Sequence, residues 1–380
     1  VAAQPPPVIA LGQPTLGEPE LRAVEEVFRS GWVAGNGPTG RRFGEELARV
    51  SGTAHALPVN NCTAALHLAV SALGVGPGDE VVVADYTFPA TGHAVVYAGG
   101  KPVFADVRAD TATVDPAAVA RAVTERTVGI IAVDAFGQCA DYDELQALAD
   151  ARGLWLVEDA ACATGAIYRG RPAGSFGDAA CLSFHGRKGI TSGEGGALTT
   201  DRDDIAARAR KTSAFGIESA LSRAGSTDLP VPEFDEIGYN YKLSDIAAAI
   251  MLAQLERLPD LLKARQAVAE AYAELLGDLE LIGLPVTAAD RSHTWQAFVV
   301  TVDPAVDRGA VAADMREQGV QCTFGTYASH LQPVYGAADP CPVSADLFRR
   351  HLAIPMHANL TEADVERVAS TLRAAVLASR

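Results

Sequence analysis

Between residues 55 and 160, short and wholly apolar runs alternate with runs whose apolar positions recur every three or four residues. HALPVNN leads into TAALHLAVSALG, and the turn GPGDE precedes VVVA. TFPATGHAVVYAGG reads as a helix and KPVFADV as a strand. A helix from Pro116 to Val123 leads to VGIIAVDAF, DYDELQALADARG is helical, and LWLVEDA is the next strand. Strands that are apolar on both faces and separated by helices predict a mostly parallel sheet covered on each side. Ligands of such sheets sit beyond the carboxyl ends of the strands. Asp159 and the Asn60–Thr63 turn both fall at such ends.

The flanks follow other patterns. Residues 1–16 are proline-rich and read as an extended N-terminal arm. GEPELRAVEEVFRSG is a helix with Pro19 early, Leu21, Val24, Val27 and Phe28 on one face, and Gly31 as its stop. RRFGEELARVSG is a second helix, and the intervening WVAGNGPTG lacks the Gly-Lys-Ser/Thr ending of a nucleotide phosphate loop. DRDDIAARARKTSAFG is helical, whereas Ile217 to Glu236 is irregular and reads as a mobile or subunit-crossing loop. SDIAAAIMLAQLERL is an apolar helix that Pro259 is expected to end, and DLLKARQAVAEAYAELLG then bridges to a smaller unit. That unit alternates TWQAFVVTV, a helix from about Asp307, VQCTF and the final helix TEADVERVASTLRAAVLAS. The expected division is an arm at 1–16, a large domain at 17–258 and a small α+β C-terminal domain at 259–380. A chain of 380 residues exceeds the size at which one core keeps growing.

Composition narrows the function. Hydrophobic residues make up 48% and charged residues 21%, as in an ordinary globular enzyme. A net charge of -16 with no Lys/Arg cluster argues against nucleic acid as a partner. Backbone N–H groups can still hold an anionic ligand in an acidic chain. The six cysteines form no C-x-x-C pair, which argues against a metal site and a disulfide scaffold and favours a cytoplasmic setting. The first residues lack a charged segment followed by an apolar core, so no secretory leader is expected, and no apolar run is long enough for a membrane span.

The chemistry concentrates between Leu154 and Thr200. Glu158 and Asp159 sit where an apolar strand ends, and thirty residues later come Ser-Phe-His-Gly-Arg-Lys and the glycine turn Ser192 to Gly196. A strand-end acid and a later lysine can converge on pyridoxal 5'-phosphate, whose aldehyde takes a lysine amine and whose ring nitrogen takes a carboxylate. Lys188 is read as the Schiff-base lysine and Asp159 as the ring-nitrogen partner. Side chains alternate across a strand, so only one of Glu158 and Asp159 faces the ligand. Thr63, at the start of a helix, offers a phosphate free amides, a favourable dipole and a hydroxyl, although an ordinary N-cap would look the same.

Taken together and in this order, VEDAA, GSFGD and SFHGRKGITSGEGGALTT resemble the DegT/StrS-type sugar aminotransferases, pyridoxal-phosphate enzymes of fold type I. The resemblance covers nearly the whole chain. It implies an internal Schiff base at Lys188, a ring-nitrogen contact at Asp159 and a phosphate contact at Ser183. It also implies an aromatic stack from Phe88 and a phosphate contact from Asn240 across a two-fold dimer. Three positions depart from the family pattern. Cys62 stands where a glycine usually precedes Thr63, Lys242 stands where arginine is common, and Cys162 stands where many relatives have glutamine. Cys162 is therefore either a tuning contact near the cofactor or packing. His185, Tyr327, His330 and Glu194 are candidates for reaching the substrate.

The activity implied is ping-pong transamination from glutamate or glutamine to a keto-sugar, typically nucleotide-linked, or to a keto-cyclitol. The cofactor would alternate between its pyridoxal and pyridoxamine forms. A sugar dehydratase of this kind carries histidine in place of the lysine, and Lys188 is present. A regulatory or binding protein on the same scaffold would not need the full set of lysine, aspartate and phosphate turn.

Overall fold

The computed structural model describes residues 7–217, 234, 236–336 and 338–380. Two helices lead, α1 (Glu18–Ser30) and α2 (Pro38–Ser51). Pro19 starts α1 and Gly31 stops it at a φ of 75°. There follow β1 (His55–Val59), α3 (Cys62–Ala72), β2 (Glu80–Ala84), the short β3 (Tyr86–Thr87), α4 (Ala90–Tyr97) and β4 (Lys101–Ala105). Then come α5 (Pro116–Ala122), β5 (Thr127–Val133), α6 (Tyr142–Arg152), β6 (Trp155–Asp159), β7 (Ile167–Tyr168) and β8 (Arg171–Pro172). The run closes with β9 (Ala179–Ser183), β10 (Gly196–Thr200) and α7 (Asp203–Thr212).

Seven of these strands form one sheet in the order β1-β10-β9-β6-β5-β2-β4. The pairs β9–β6, β6–β5, β5–β2 and β2–β4 are parallel, and β10 alone runs against its neighbours β9 and β1. Strands β2 and β9 are buried at every residue, as their continuous apolar runs predict. The reversal at β10 matters for function. It makes the β9–β10 connection fold over a single edge of the sheet, the same edge at which the parallel strands end. Residues 184–195 therefore stay at the ligand-binding edge.

The irregular stretch from Ile217 to Glu236 lies almost wholly outside the described residues. After it, α8 (Asp245–Glu256) packs on α1 and α2, and its Asp245 accepts hydrogen bonds from the first-turn amides of α2, Thr39 N–H at 3.0 Å and Gly40 N–H at 3.1 Å. Pro259 does more than end α8. It occupies the first turn of α9 (Leu258–Leu276), where a missing N–H costs nothing. A four-stranded antiparallel sheet completes the molecule, from β11 (Ile282–Gly283), β12 (Phe298–Val302), β13 (Thr323–Phe324) and, after the two-residue β14 (Tyr327–Ala328), β15 (His351–Ile354), in the order β11-β12-β15-β13. Helices α10 (Arg308–Glu317), α11 (Pro342–Arg350) and α12 (Glu362–Ala378) accompany it. The apolar run of β15 was not read from the sequence, because four residues between two helices carry too little pattern to separate a strand from a loop. It nonetheless sits inside the sheet between β12 and β13.

The large sheet has a core on each face, one around Phe43, Ile130, Leu156 and Phe184 and another around Leu66, Val83, Val157 and Cys181. The C-terminal sheet has its own, around Tyr272, Phe298, Met315 and Leu372. Ile9 belongs to that third core: its N–H donates to Gly319 O at 2.8 Å, and Gln321 N–H donates to Ile9 O at 3.0 Å. The arm is thus stitched to the C-terminal sheet. No helix among the described residues is long and apolar enough to cross a membrane.

Candidate active site

A cleft of about 930 Å³ opens at the carboxyl ends of the parallel strands. Its floor comes from β6, β9 and the start of α3, and its far wall comes from Gln296, Thr323 and Ile354 of the C-terminal sheet region. Asp159, Cys162, Ser183, Lys188, Cys62, Thr63 and Phe88 all line it. Seven positions chosen from sequence, spread over 127 residues, are thereby brought to one concavity.

Asp159 is buried at the end of β6. Its carboxylate accepts a hydrogen bond from Thr91 Oγ1 at 2.8 Å and from Ala161 N–H at 3.2 Å. Burial pushes its pKa up, while those two donors and the Lys188 charge oppose the shift. Glu158, one residue earlier, points the other way. Its two oxygens accept the amides of Gly174 at 2.9 Å and Phe176 at 3.0 Å. Behind it lies Asp134, which accepts from Tyr142 OH at 2.8 Å and Ala140 N–H at 2.9 Å. Burial drives the pKa of both acids upward, and the Asp134 charge pushes Glu158 further up. The alternation of a strand therefore separates a structural acid from the acid of the cleft.

Lys188 Nζ donates to Cys162 Sγ at 3.2 Å. Burial disfavours its charge, but the Cys162 sulfur, with Cys62 and Asp159 beyond it, outweighs this and raises the ammonium pKa. The backbone at Lys188 is fixed from two sides. Its amide donates to His185 O at 2.8 Å, and its carbonyl accepts from Arg265 Nη2 at 3.4 Å. Arg265 is buried, which lowers its pKa to about 10, and it also donates to Trp295 O at 2.8 Å.

The turn before α3 is built around Asn61, whose side chain accepts from Ala64 N–H at 2.8 Å while its carbonyl accepts from Ala65 N–H at 3.2 Å. First-turn amides of a helix have no intrahelical acceptor. Those of Cys62 and Thr63 thus remain beside the cleft that both residues line. Gly196 makes this placement possible, since a Cβ there would lie 2.5 Å from Cys62 N and from Asn61 C.

Phe88 is 64% exposed and meets Tyr327 edge-on, with ring centroids 6.1 Å apart. His185 and Glu194 line the rim and face each other at 3.8 Å. Tyr327, His330 and Asn240 do not line the cleft of this chain. His330 is turned to Asp85, with Nδ1 2.7 Å from Oδ2, and Asn240 Oδ1 accepts from Lys242 Nζ at 2.5 Å on the outer surface. Thr91, Arg187, Tyr241 and Gln296 belong to the site or its support and were not read from sequence. Each lies in an ordinary helix or loop, and nothing local distinguishes it.

These residues fit pyridoxal phosphate. A buried acid with two donors, an amine opposite it, amides at a helix start and an exposed aromatic face match the ring nitrogen, aldehyde, phosphate and ring plane. Fold and cleft together are those of a fold type I, pyridoxal-phosphate-dependent aminotransferase.

A family model for the DegT/DnrJ/EryC1/StrS aminotransferase family matches residues 14–373, and the chain belongs to that family of sugar aminotransferases. It is 34% identical over 371 residues to the spore coat polysaccharide biosynthesis protein SpsC of Bacillus subtilis (strain 168), covering 95% of each. Among solved structures, it resembles the aminotransferase TlmJ of Streptoalloteichus hindustanus with a TM-score of 0.92 and 33% identity, over 98% of this chain and 99% of that one. It also resembles DesV of S. venezuelae in complex with a ketimine intermediate, with a TM-score of 0.87 and 34% identity, over 95% and 94% of the two chains.

Proposed function

We propose that the chain transfers an amino group from glutamate or glutamine to a nucleotide-linked keto-sugar, with Lys188 and Asp159 as its catalytic residues. The observation that carries this reading is the convergence of Lys188 and Asp159 on one cleft, close enough for each to feel the other's charge. When bound, pyridoxal phosphate supplies an aldehyde that condenses with amines and a ring that takes up an electron pair. The protein supplies the rest. Lys188 Nζ takes the proton from the donor's α-carbon and returns one on the acceptor side. Asp159, held by Thr91 and Ala161, would keep a proton on the ring nitrogen through a buried ion pair. Cys62, Thr63 and Ser183 would hold the phosphate, and Phe88 would pack on the ring. Cys162, which accepts from Lys188, tunes the amine.

Asn240 is exposed, and its proposed role is to reach the cofactor phosphate of a second subunit in a homodimer. The relative SpsC, a polysaccharide biosynthesis protein, supports a sugar acceptor.

The test is a mass-detected screen of nucleotide-linked keto-sugars, free keto-sugars and keto-cyclitols with glutamate or glutamine. Borohydride reduction and peptide mapping locate the cofactor. Amination of a nucleotide-linked keto-sugar with label at Lys188 is the expected result. Label elsewhere, or cofactor colour that neither donor bleaches, defeats the proposal.

A further inference from the structure

A second cavity, of about 580 Å³, opens beside the cleft and shares Leu11, Gly12, Arg187 and Thr323 with it. Three separate parts of the chain build it: the docked arm, the loop that carries Lys188, and the segment from Arg316 to Thr323. Its walls contain two arginines, Arg187 and Arg316, and no acidic residue. That is unusual here. The chain carries 47 acids against 31 bases, and its arginines are widely paired with carboxylates. Among the described residues neither Arg187 nor Arg316 has a carboxylate at ion-pair distance.

Arg187 is held through its backbone and Arg316 through its guanidinium. Arg187 N–H donates to His185 Nδ1 at 3.3 Å, and Arg187 O accepts from Gln296 Nε2 at 3.2 Å. Arg316 Nη2 donates to Cys322 O at 3.0 Å, which fixes the guanidinium on the wall and leaves most of its donors available. Gln321 Oε1 accepts from Leu11 N–H at 3.1 Å and closes the arm side. The anchored Arg316 guanidinium and the Arg187 side chain, carried on a fixed backbone, both line one chamber without a carboxylate partner among the described residues, and together form a receptor for a multiply charged anion.

We propose that this chamber binds the diphosphate of the acceptor substrate while its sugar lies in the main cleft, with Arg187 at the junction. The inference rests on the nucleotide-linked reading given above. A donor side-chain carboxylate is the rival anion. The chamber is far larger than one carboxylate needs, and its two cations match a group with two charged phosphoryl units.

The experiment uses the full-length holoenzyme with uridine 5'-diphosphate and thymidine 5'-diphosphate as probes, titrated calorimetrically against Arg187→Gln, Arg316→Gln and the double variant. Each single change should weaken probe binding roughly tenfold, the loss of one charge-assisted contact, and the double change more. Arg187→Lys should recover part of the loss. In Arg316→Gln, whose side chain belongs to the chamber and not to the cleft, the rate at which glutamate bleaches the bound cofactor should stay within about twofold. If the wild type binds neither probe, the nucleotide-linked reading fails and this inference with it. If the wild type binds and the variants bind equally well, the chamber assignment alone is wrong. Slowed glutamate bleaching with unchanged probe binding assigns the chamber to the donor carboxylate and also overturns the proposal. Both side chains are exposed, so the variants should fold, and the holoenzyme spectrum checks this.

Discussion

The floor of the cleft and its rim are built on opposite principles. At the floor and beneath it, Asp159, Thr91, Glu158 and Asp134 are buried, and each carboxyl has at least two hydrogen-bond donors within 3.2 Å. At the rim, Phe88, His185, Arg187 and Glu194 are exposed, and the His185–Glu194 pair is a loose 3.8 Å contact. A buried and unpaired charge is costly, so each of these carboxyls takes up donors before any ligand arrives, Asp134 Oδ2 being the one oxygen among them left without one. The rim pays no such cost and can keep its groups for the substrate. The chemistry common to aminotransferases belongs to the floor, and the choice of acceptor belongs to the rim.

Substitutions sharpen this contrast, and the largest effect is expected at the floor. Lys188→Ala should lower amino transfer by at least about 10²- to 10⁴-fold, the usual worth of a positioned proton carrier. Single-turnover absorbance with glutamate measures it. Asp159→Asn keeps the shape and removes the charge, and should lower kcat by about 10²-fold. Steady-state kinetics beside a cofactor titration separate lost rate from lost binding.

Gly196→Ala tests the turn rather than a charge. Its Cβ would lie 2.5 Å from two backbone atoms of the Asn61–Cys62 turn, so about 1–3 kcal/mol of stability should be lost together with cofactor affinity. Urea denaturation with and without the cofactor reads both.

A fourth prediction concerns pH. His293 Nδ1 accepts from Trp295 N–H at 2.8 Å, and burial lowers its pKa to about 3; burial likewise takes His351, whose Nδ1 lies 3.0 Å from Tyr86 OH, to about 4. Below the ordinary histidine value of about 6.5 the unfolded chain binds protons that the folded chain refuses. Stability from these two groups is therefore full above pH 6.5 and falls as pH drops through the window towards 4 and 3. The urea midpoint should decline over that range, and His293→Gln should flatten the decline. The smallest effect belongs to the rim: Glu194→Gln should change stability by less than about 1 kcal/mol, because exposed ion pairs contribute little. A larger loss at Glu194 than at Gly196 would break the distinction between floor and rim.

Much of the floor was legible along the chain. VEDAA, SFHGRK and the Asn61–Thr63 turn each join a strand end to a chemical group, and strand ends at one edge of a parallel sheet must be neighbours. Thr91 and Arg265 were not legible. One is a helix threonine and the other a helix arginine, and their roles exist only because the fold brings them to Asp159 and to the Lys188 carbonyl, 68 and 77 residues away. His330 shows the reverse. Its sequence surroundings suggested a substrate contact, yet its ring is taken up by Asp85.

The sequence by itself determined the alternation of strands and helices, the family, and which acid and lysine to consider, because periodicity and short motifs are local properties of a chain. The tertiary structure alone decided that Glu158 faces Asp134 while Asp159 faces the cleft, and that β10 runs backwards so the Lys188 loop returns to the same edge. It alone also brought the arm to Arg187 and Arg316 to form a second chamber. Such facts depend on contacts between residues tens to hundreds of positions apart, and those contacts leave no pattern within any one window of the chain.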